Sequence, residues 1–352
     1  MSTGLSTVFA LLKSEPAPLG ITLNHSFAIR FFRGCLLLEA LFLLNLGQPI
    51  ARGDDAAAKA VPTVPALRQA ANGSLSLTAR SAHLNGSDLK LEKSKDPYID
   101  FWSRLSDFLS WPVDIAQTGM YRVELTYSSD PSVGTKDMTL SCNSETLSFR
   151  PLPTANWSTY RTVNLGEMNL TPAGKTQVSL KVDRMAGNYV MNFKQLSFVP
   201  AYIHTNAEDL VPTIDPDSNG DFKLDAIKAE IVGNGASYES GASGTDVGSW
   251  TDTGTYLRWH VNFTQPGKYH VSWLVANDPG NTPLRLRLKV GDDASLDAEN
   301  ITSTGWEDYK TADLGDITID AEPGQIDVTL KAVSLSQYAC NIRSITLTRI
   351  HQ

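Results

Sequence analysis

The stretch Phe-Leu-Ser-Trp-Pro-Val-Asp-Ile-Ala-Gln-Thr-Gly-Met-Tyr-Arg-Val-Glu-Leu-Thr-Tyr, residues 108–127, returns as Tyr-Leu-Arg-Trp-His-Val-Asn-Phe-Thr-Gln-Pro-Gly-Lys-Tyr-His-Val-Ser-Trp-Leu-Val, residues 256–275. In the first copy Leu109, Trp111, Val113 and Ile115 share one face, followed after Gly119 by Tyr121, Val123, Leu125 and Tyr127. The second copy repeats both faces with Leu257, Trp259, Val261 and Phe263, then Tyr269, Val271, Trp273 and Val275. Apolar residues at every second position mark half-buried β-strands, because successive side chains of a strand point to opposite sides. Two such strands around a glycine turn predict a hairpin. The alternation places Trp111 and Trp259 inside, as pillars of two cores. The constant offset of 148 between the copies marks two versions of one β-module.

The duplication extends outward from the strands. Trp102 stands nine residues before Trp111, and Trp250 nine before Trp259. Trp157 precedes Leu165-Gly166 as Trp306 precedes Leu314-Gly315, and Asn192-Phe-Lys matches Asn341-Ile-Arg. Further short β-like runs (Leu75–Ala79, Met138–Cys142, Thr176–Val182 and Met191–Val199, then Leu284–Val290, Ile317–Ile319, Ile326–Ala332 and Ser344–Thr348) are separated by turn-rich segments without helical period. The fold class that follows is all-β: two tandem antiparallel β-sandwich modules of jelly-roll type. Module 1 takes residues 75–200, a linker 201–221, and module 2 residues 222–352. Two copies joined by a linker predict beads on a string rather than a solenoid.

Upstream, Arg30 and Arg33 precede an apolar run from Cys35 to Leu46, interrupted only by Glu39 and followed by Gly47, Pro49 and Ala51. A basic flank, a short apolar stretch and small residues spell an export signal over residues 1–51. The run is short for a membrane span. Met1 to Asn24 has no place in such a signal, so the expected start of translation lies later. Residues 52–74, rich in Ala with Pro62 and Pro65, read as a disordered spacer. The expected protein is exported, with no membrane span in its mature form. Asn-x-Ser/Thr sequons, among them Asn72 and Asn85, matter only where exported proteins are glycosylated.

Composition narrows the function. A net charge of −8 with scattered Lys and Arg argues against nucleic acid and against anionic membranes. Of the three cysteines, Cys35 falls in the signal, leaving Cys142 and Cys340, one per module, as buried free thiols. The sequence contains no GxSxG elbow, HExxH helix, phosphate-binding glycine loop or dinucleotide fingerprint. The six histidines are scattered, and only His260 and His270 lie within one expected hairpin; His260, on the face opposite Trp259, reads as an exposed strand position. The expectation is a protein that is not an enzyme.

The remaining aromatics are informative. Trp102 and Trp250 lie in polar loops before the first alternating strand; Trp157 and Trp306 lie in polar loops after the second. A sugar presents an apolar C–H face and a rim of hydroxyls, so its sites combine aromatic platforms with a few polar groups. A Trp in a polar loop has two roles open to it, sugar platform or plug at the sandwich edge.

The order of these features (opening strand, aromatic loop, Trp strand, Gly-x-Tyr strand, Trp loop, last strand beginning with Asn) resembles carbohydrate-binding modules of families 6 and 35, which adopt the galactose-binding-like β-sandwich. The two Trp-to-Gly-x-Tyr stretches share six of seventeen positions from Trp111 or Trp259 onward. The resemblance implies one site at the loop end of each sandwich: Trp250, Trp306 and Asn341 in module 2, and Trp102, Trp157 and Asn192 in module 1. It also implies a structural calcium ion near the opening strand, with Glu230 as its acidic ligand in module 2; module 1 has Arg80-Ser-Ala-His in that register and no acid. Asp215, Asp217, Asn219 and Gly220 follow the first half of a calcium loop, but the twelfth position is Ala226, and a solvated turn is the expected reading.

The function so implied is an exported, non-catalytic protein that binds polysaccharide through loop tryptophans. Two alternatives compete: an adhesion protein whose sandwiches are spacers and whose loop tryptophans are buried, and an accessory subunit of a glycan-processing enzyme.

Overall fold

The computed structural model describes residues 65–241, 244–292 and 294–351. The expected signal, Cys35 within it, and most of the spacer lie outside these residues. Module 1 is built from β1 (Leu75–Thr78), β2 (Lys90–Glu92), β3 (Tyr98–Asp100), β4 (Phe108–Ile115), β5 (Gly119–Ser128), β6 (Lys136–Cys142), β7 (Glu145–Phe149), β8 (Arg161–Leu170), β9 (Gly174–Met185) and β10 (Asn192–Pro200). Module 2 repeats the series as β11 (Phe222–Asp225), β12 (Ser237–Gly241), β13 (Gly244–Gly248), β14 (Tyr256–Phe263), β15 (Gly267–Ala276), β16 (Arg285–Val290), β17 (Ala294–Glu299), β18 (Lys310–Ile319), β19 (Gly324–Ser334) and β20 (Asn341–Arg349).

The two alternating strands of each copy do not form the expected hairpin. β4 pairs with β9 in one sheet, while β5 pairs with β8 and β10 in the other. β14 and β15 divide in the same way between β19 on one side and β18 and β20 on the other. The turn therefore arches across the sandwich. Alternation reveals which face of a strand is apolar and is silent about its partner. Here the two apolar faces confront each other from opposite sheets, which buries both. The sheets run β4–β9–β6–β7 against β8–β5–β10–β3–β2 in module 1, and β14–β19–β16–β17 against β12–β13–β20–β15–β18 in module 2, with β1 and β11 pairing on β10 and β20.

Trp111 and Trp259 are fully enclosed, each in its own hydrophobic cluster. Each indole N–H donates to the opening strand's last residue, Trp111 to the Thr78 carbonyl and Trp259 to the Asp225 carbonyl at 2.9 Å. The polar edge of each ring is thus satisfied inside the core, as a buried indole requires. Cys142 and Cys340 are buried and free.

Order extends past the expected boundaries. Leu67–Arg68, within the predicted spacer, lies parallel to β4 at Val113 and Asp114. The Gln69 carboxamide oxygen accepts from the Ala116 and Gln117 amides, which anchors this segment on the arch. In the linker, Thr213–Ile214 pairs with β14 and Glu208–Asp209 with β8. Its acidic run closes as a turn in which the Asp217 carboxylate accepts from the Asn219 and Asp221 amides.

Nor are the modules beads on a string. Leu152 of module 1 is fully buried in the hydrophobic cluster of module 2. Arg150 donates to the carbonyls of Ile231 and Gly233 at 2.5 and 2.6 Å and to the Asn234 side chain at 3.0 Å, while Asp137 holds its Nε at 2.6 Å. Hydrogen bonds from a charged donor are worth about 1.5–3 kcal/mol each. Among the described residues no helix is long and apolar enough to cross a membrane.

Candidate carbohydrate-binding sites

Each module carries a pocket where the loops after β3 and β13 meet those before β8 and β10, or β18 and β20. In module 2 a cavity of about 370 Å³ is lined by Trp250, Trp306 and Asn341. In module 1 a cavity of about 300 Å³ is lined by Trp102, Trp157 and Asn192. Three positions spread over about ninety residues in each copy therefore converge on one place.

Their roles differ within the pocket. Trp102 and Trp250 are each 1% exposed. Their polar sequence neighbours face water while the rings turn inward, with indole N–H groups donating to the Asp107 and Asp252 carbonyls. They form a floor, not an exposed platform. The residue before each, Phe101 (φ 53°) or Ser249 (φ 48°), adopts a left-handed backbone conformation, unusual for non-glycine residues and costly for a bulky one. That kink sets the ring's entry. The Trp102 carbonyl then accepts from Val190 N–H, and the Trp250 carbonyl from Ala339 N–H, tying the loop to the one that leads into the last strand.

Trp157 and Trp306 are half-buried. Their carbonyls accept from the side-chain amides of Asn192 and Asn341, both at 3.2 Å. The two asparagines thus position the tryptophan loops. Opposite stand residues that sequence reasoning missed: Tyr189, edge-on to Trp157 at 6.3 Å, and Tyr338, edge-on to Trp306 at 5.9 Å. Both tyrosines are exposed. A right-angled Trp–Tyr pair above a buried Trp is a surface on which an apolar sugar face can stack. The signal was available, since each Tyr lies three residues before its Asn.

Polar groups distinguish the two pockets. Module 2 presents Glu239 and Glu307, and Ser249 donates to Glu239 at 2.6 Å. Module 1 presents Asp100, Phe101 and Met191, with the Lys90 ammonium 4.1 Å from the centre of the Phe101 ring. Burial, and then the neighbouring Glu92, pushes the Asp100 carboxyl up to about 6. Cys340 lines the module 2 pocket, but burial pushes its thiol up to about 12, so it holds no thiolate for nucleophilic chemistry near neutral pH. Beside each pocket a cation covers a tyrosine ring: Lys194 over Tyr160 at 3.7 Å and Arg343 over Tyr309 at 3.5 Å. These are the Lys and Arg of the matched Asn-Phe-Lys and Asn-Ile-Arg triplets.

Glu230 lies apart from this site. Its carboxylate accepts from Arg258 Nε at 2.9 Å and Nη2 at 2.5 Å. A calcium ion there would have to displace a guanidinium, so the residues present do not fit the expected ion. Among the described residues no group of three or more His, Cys, Asp or Glu side chains is arranged to hold a metal. His260 pairs with Asp327 at 2.7 Å on an outer sheet face.

Comparison with known proteins follows the same lines. The profile of carbohydrate binding module family 6 matches twice, over residues 81–200 and 228–349. Among solved structures, a family 35 module from Clostridium thermocellum is 17% identical, with 36% of this chain and 98% of that one covered, at a TM-score of 0.31. A Cellvibrio mixtus lichenase 5A module in complex with cellotriose is 19% identical, covering 36% and 97%, at 0.29. Paenibacillus xanthan lyase is 15% identical over 78% of this chain at 0.30, and the match takes in 26% of the lyase. A search of curated proteins finds no match. With both sandwiches matched over nearly their full length, the chain belongs to carbohydrate-binding module family 6.

Proposed function

We propose that this is an exported, non-catalytic protein that binds polysaccharide at the two loop-end pockets, each stacking a sugar ring on the surface formed by its half-buried Trp and its exposed Tyr. One observation carries the reading: in both modules the same Trp, Trp and Asn positions, scattered in sequence, line a single pocket. Stacking would supply contact area, and Glu239, Glu307 and Asn341, or Asp100 and Asn192, would meet the hydroxyl rim. Each pocket alone binds weakly; two on one chain gain through effective concentration when a polymer engages both.

The burial of Trp102 and Trp250 fits the adhesion alternative at those two positions, whereas the half-buried Trp157 and Trp306 with their tyrosines do not. Affinity electrophoresis through gels containing laminarin, mannan, cellulose derivatives or xanthan separates the readings. Wild type is expected to be retarded by at least one polymer, and Trp306→Ala with Trp157→Ala to run freely. Equal mobility of wild type and double variant in every gel refutes carbohydrate binding at these pockets.

A further inference from the structure

A third cavity adjoins the module 2 pocket. About 370 Å³ of space opens at the seam between the modules. Its module 2 wall includes Glu239 and Ser249, which also line the Trp250–Trp306 pocket. Its module 1 wall is Ser132, Gly134, Ala186 and Gly187. Gly187 lies two residues before Tyr189, an edge of the Trp102–Trp157 pocket. The seam cavity thus shares the Glu239–Ser249 rim with the module 2 pocket, and the loop from Ala186 to Tyr189 carries residues of both the seam and the module 1 pocket.

The seam is shaped to stay open. Gly134 has φ 64°, and a Cβ there would lie 2.6 Å from Ser237 Oγ of module 2. A Cβ on Gly187 would lie 2.5 Å from the Val133 carbonyl oxygen. Gly134 thus lets its loop close on Ser237 of module 2, and Gly187 lets the neighbouring module 1 loop close on Val133, without a side chain obstructing the cavity. Arg150 and Leu152 hold the two walls at a fixed distance. Ser132, Ser249, Thr251, Asn234 and Glu239 are among the residues lining the space, and among the described residues no Lys, Arg or His lines it. Such a lining offers partners to sugar hydroxyls and, through Glu239, repels sulfated or uronic chains.

We infer that the seam is a binding subsite, and that it joins the two pockets into one groove for a single uncharged polysaccharide chain running across both modules. This rests on the carbohydrate-binding reading of the pockets. It changes what the tandem arrangement does: a single chain reads both modules and the space between them.

Titration calorimetry of the whole protein tests it with cello-, manno- and laminari-oligosaccharides, each as a trimer and as a linear chain long enough to reach between the pockets. For whichever series binds, two trimers per protein are expected against one long chain, bound more tightly. Ser132→Trp, on the module 1 wall, fills the seam and should weaken the long chain at least tenfold while leaving the trimer unchanged. Thr251→Trp does the same from the opposite wall, guarding against a folding defect in either variant. Two long chains per protein, or equal long-chain affinity in wild type and both variants, overturns the groove while the pockets stand. If wild type binds neither trimer nor long chain in any series, the carbohydrate reading falls with it.

Discussion

The two modules share a scaffold and differ at its margins. Both carry the arch across the sandwich, the pillar Trp bonded to the opening strand, and the right-angled Trp–Tyr pair. They part at the start of β6 and β16. Register with β9 and β19 sets Lys136 of module 1 opposite Leu284 of module 2, and Asp137 opposite Arg285. The pairing of β7 and β17 then sets Arg150 opposite Glu299. Asp137–Arg150 in one copy is thus Arg285–Glu299 in the other, an ion pair with its signs exchanged. The exchange has a consequence at the seam. Only a donor at position 150 can reach the Ile231 and Gly233 carbonyls, and a carboxylate there would face them as a second acceptor. Duplication supplied the sandwich; the change of sign gave one copy the means to hold the other.

The widest test of the comparison is at its shared centre. Trp111→Ala and Trp259→Ala each remove a fully enclosed indole and leave a cavity, costing about 3–5 kcal/mol. Differential scanning calorimetry should show each variant lowering the transition of its own module most. A variant that lowers both equally would show that the seam couples the modules into one folding unit, stronger than Arg150 and Leu152 suggest.

A smaller effect is expected where the copies differ. Lys136 is buried, its ammonium donating to Ser129 Oγ at 2.8 Å, and burial brings its pKa down to about 7. The folded state therefore releases this proton near pH 7, while the unfolded chain keeps it until about 10.4. Between those values the unfolded state binds more protons, so module 1 gains stability as pH rises from 7 toward 10. Below pH 7 the buried charge is a full burden. Lys136→Leu, which copies Leu284, should raise the stability of module 1 at neutral pH by about 1–3 kcal/mol and flatten its pH dependence above 7. Thermal melts from pH 6 to 10 check both. A destabilised variant with the same pH slope would mean that the Ser129 contact outweighs desolvation.

Much of this was legible in the sequence, and the losses have physical reasons. Alternation identified the inner faces and the pillars, because burial writes directly into residue type. It could not distinguish a hairpin from an arch, since both present the same faces to a core. Lys136 is in phase with Met138, Leu140 and Cys142, so its inward orientation was readable, but a lysine reads as the end of a strand unless a partner is known. The Trp and Asn positions of the pockets stood out through recurrence. Tyr189 and Tyr338 recur too, but an exposed tyrosine in a polar loop has no periodic neighbour to mark it. The seam left no trace: Arg150 and Leu152 have no periodic or motif signature, and Arg150's module 2 partners lie more than eighty residues away.

The finest distinction concerns those tyrosines. A stacking contact with an aromatic ring is worth about 0.5–1.5 kcal/mol beyond its buried area, so Tyr338→Ala and Tyr189→Ala should each weaken sugar binding at their own pocket by a factor of roughly two to ten through loss of the stacking surface. Tyr→Phe variants retain the ring and should keep most of the affinity. The pockets should nevertheless respond unequally. The module 2 lining includes Glu239, Glu307 and Ser249, whereas the module 1 lining is richer in apolar surface from Phe101 and Met191. Removing an aromatic wall takes away a larger share of the contacts in module 1, so Tyr189→Ala should be the more damaging of the pair. Trimer titrations with one pocket disabled by Trp306→Ala or Trp157→Ala isolate the other. A larger loss from Tyr338→Ala would reverse the ranking and assign the greater stacking contribution to the more polar pocket.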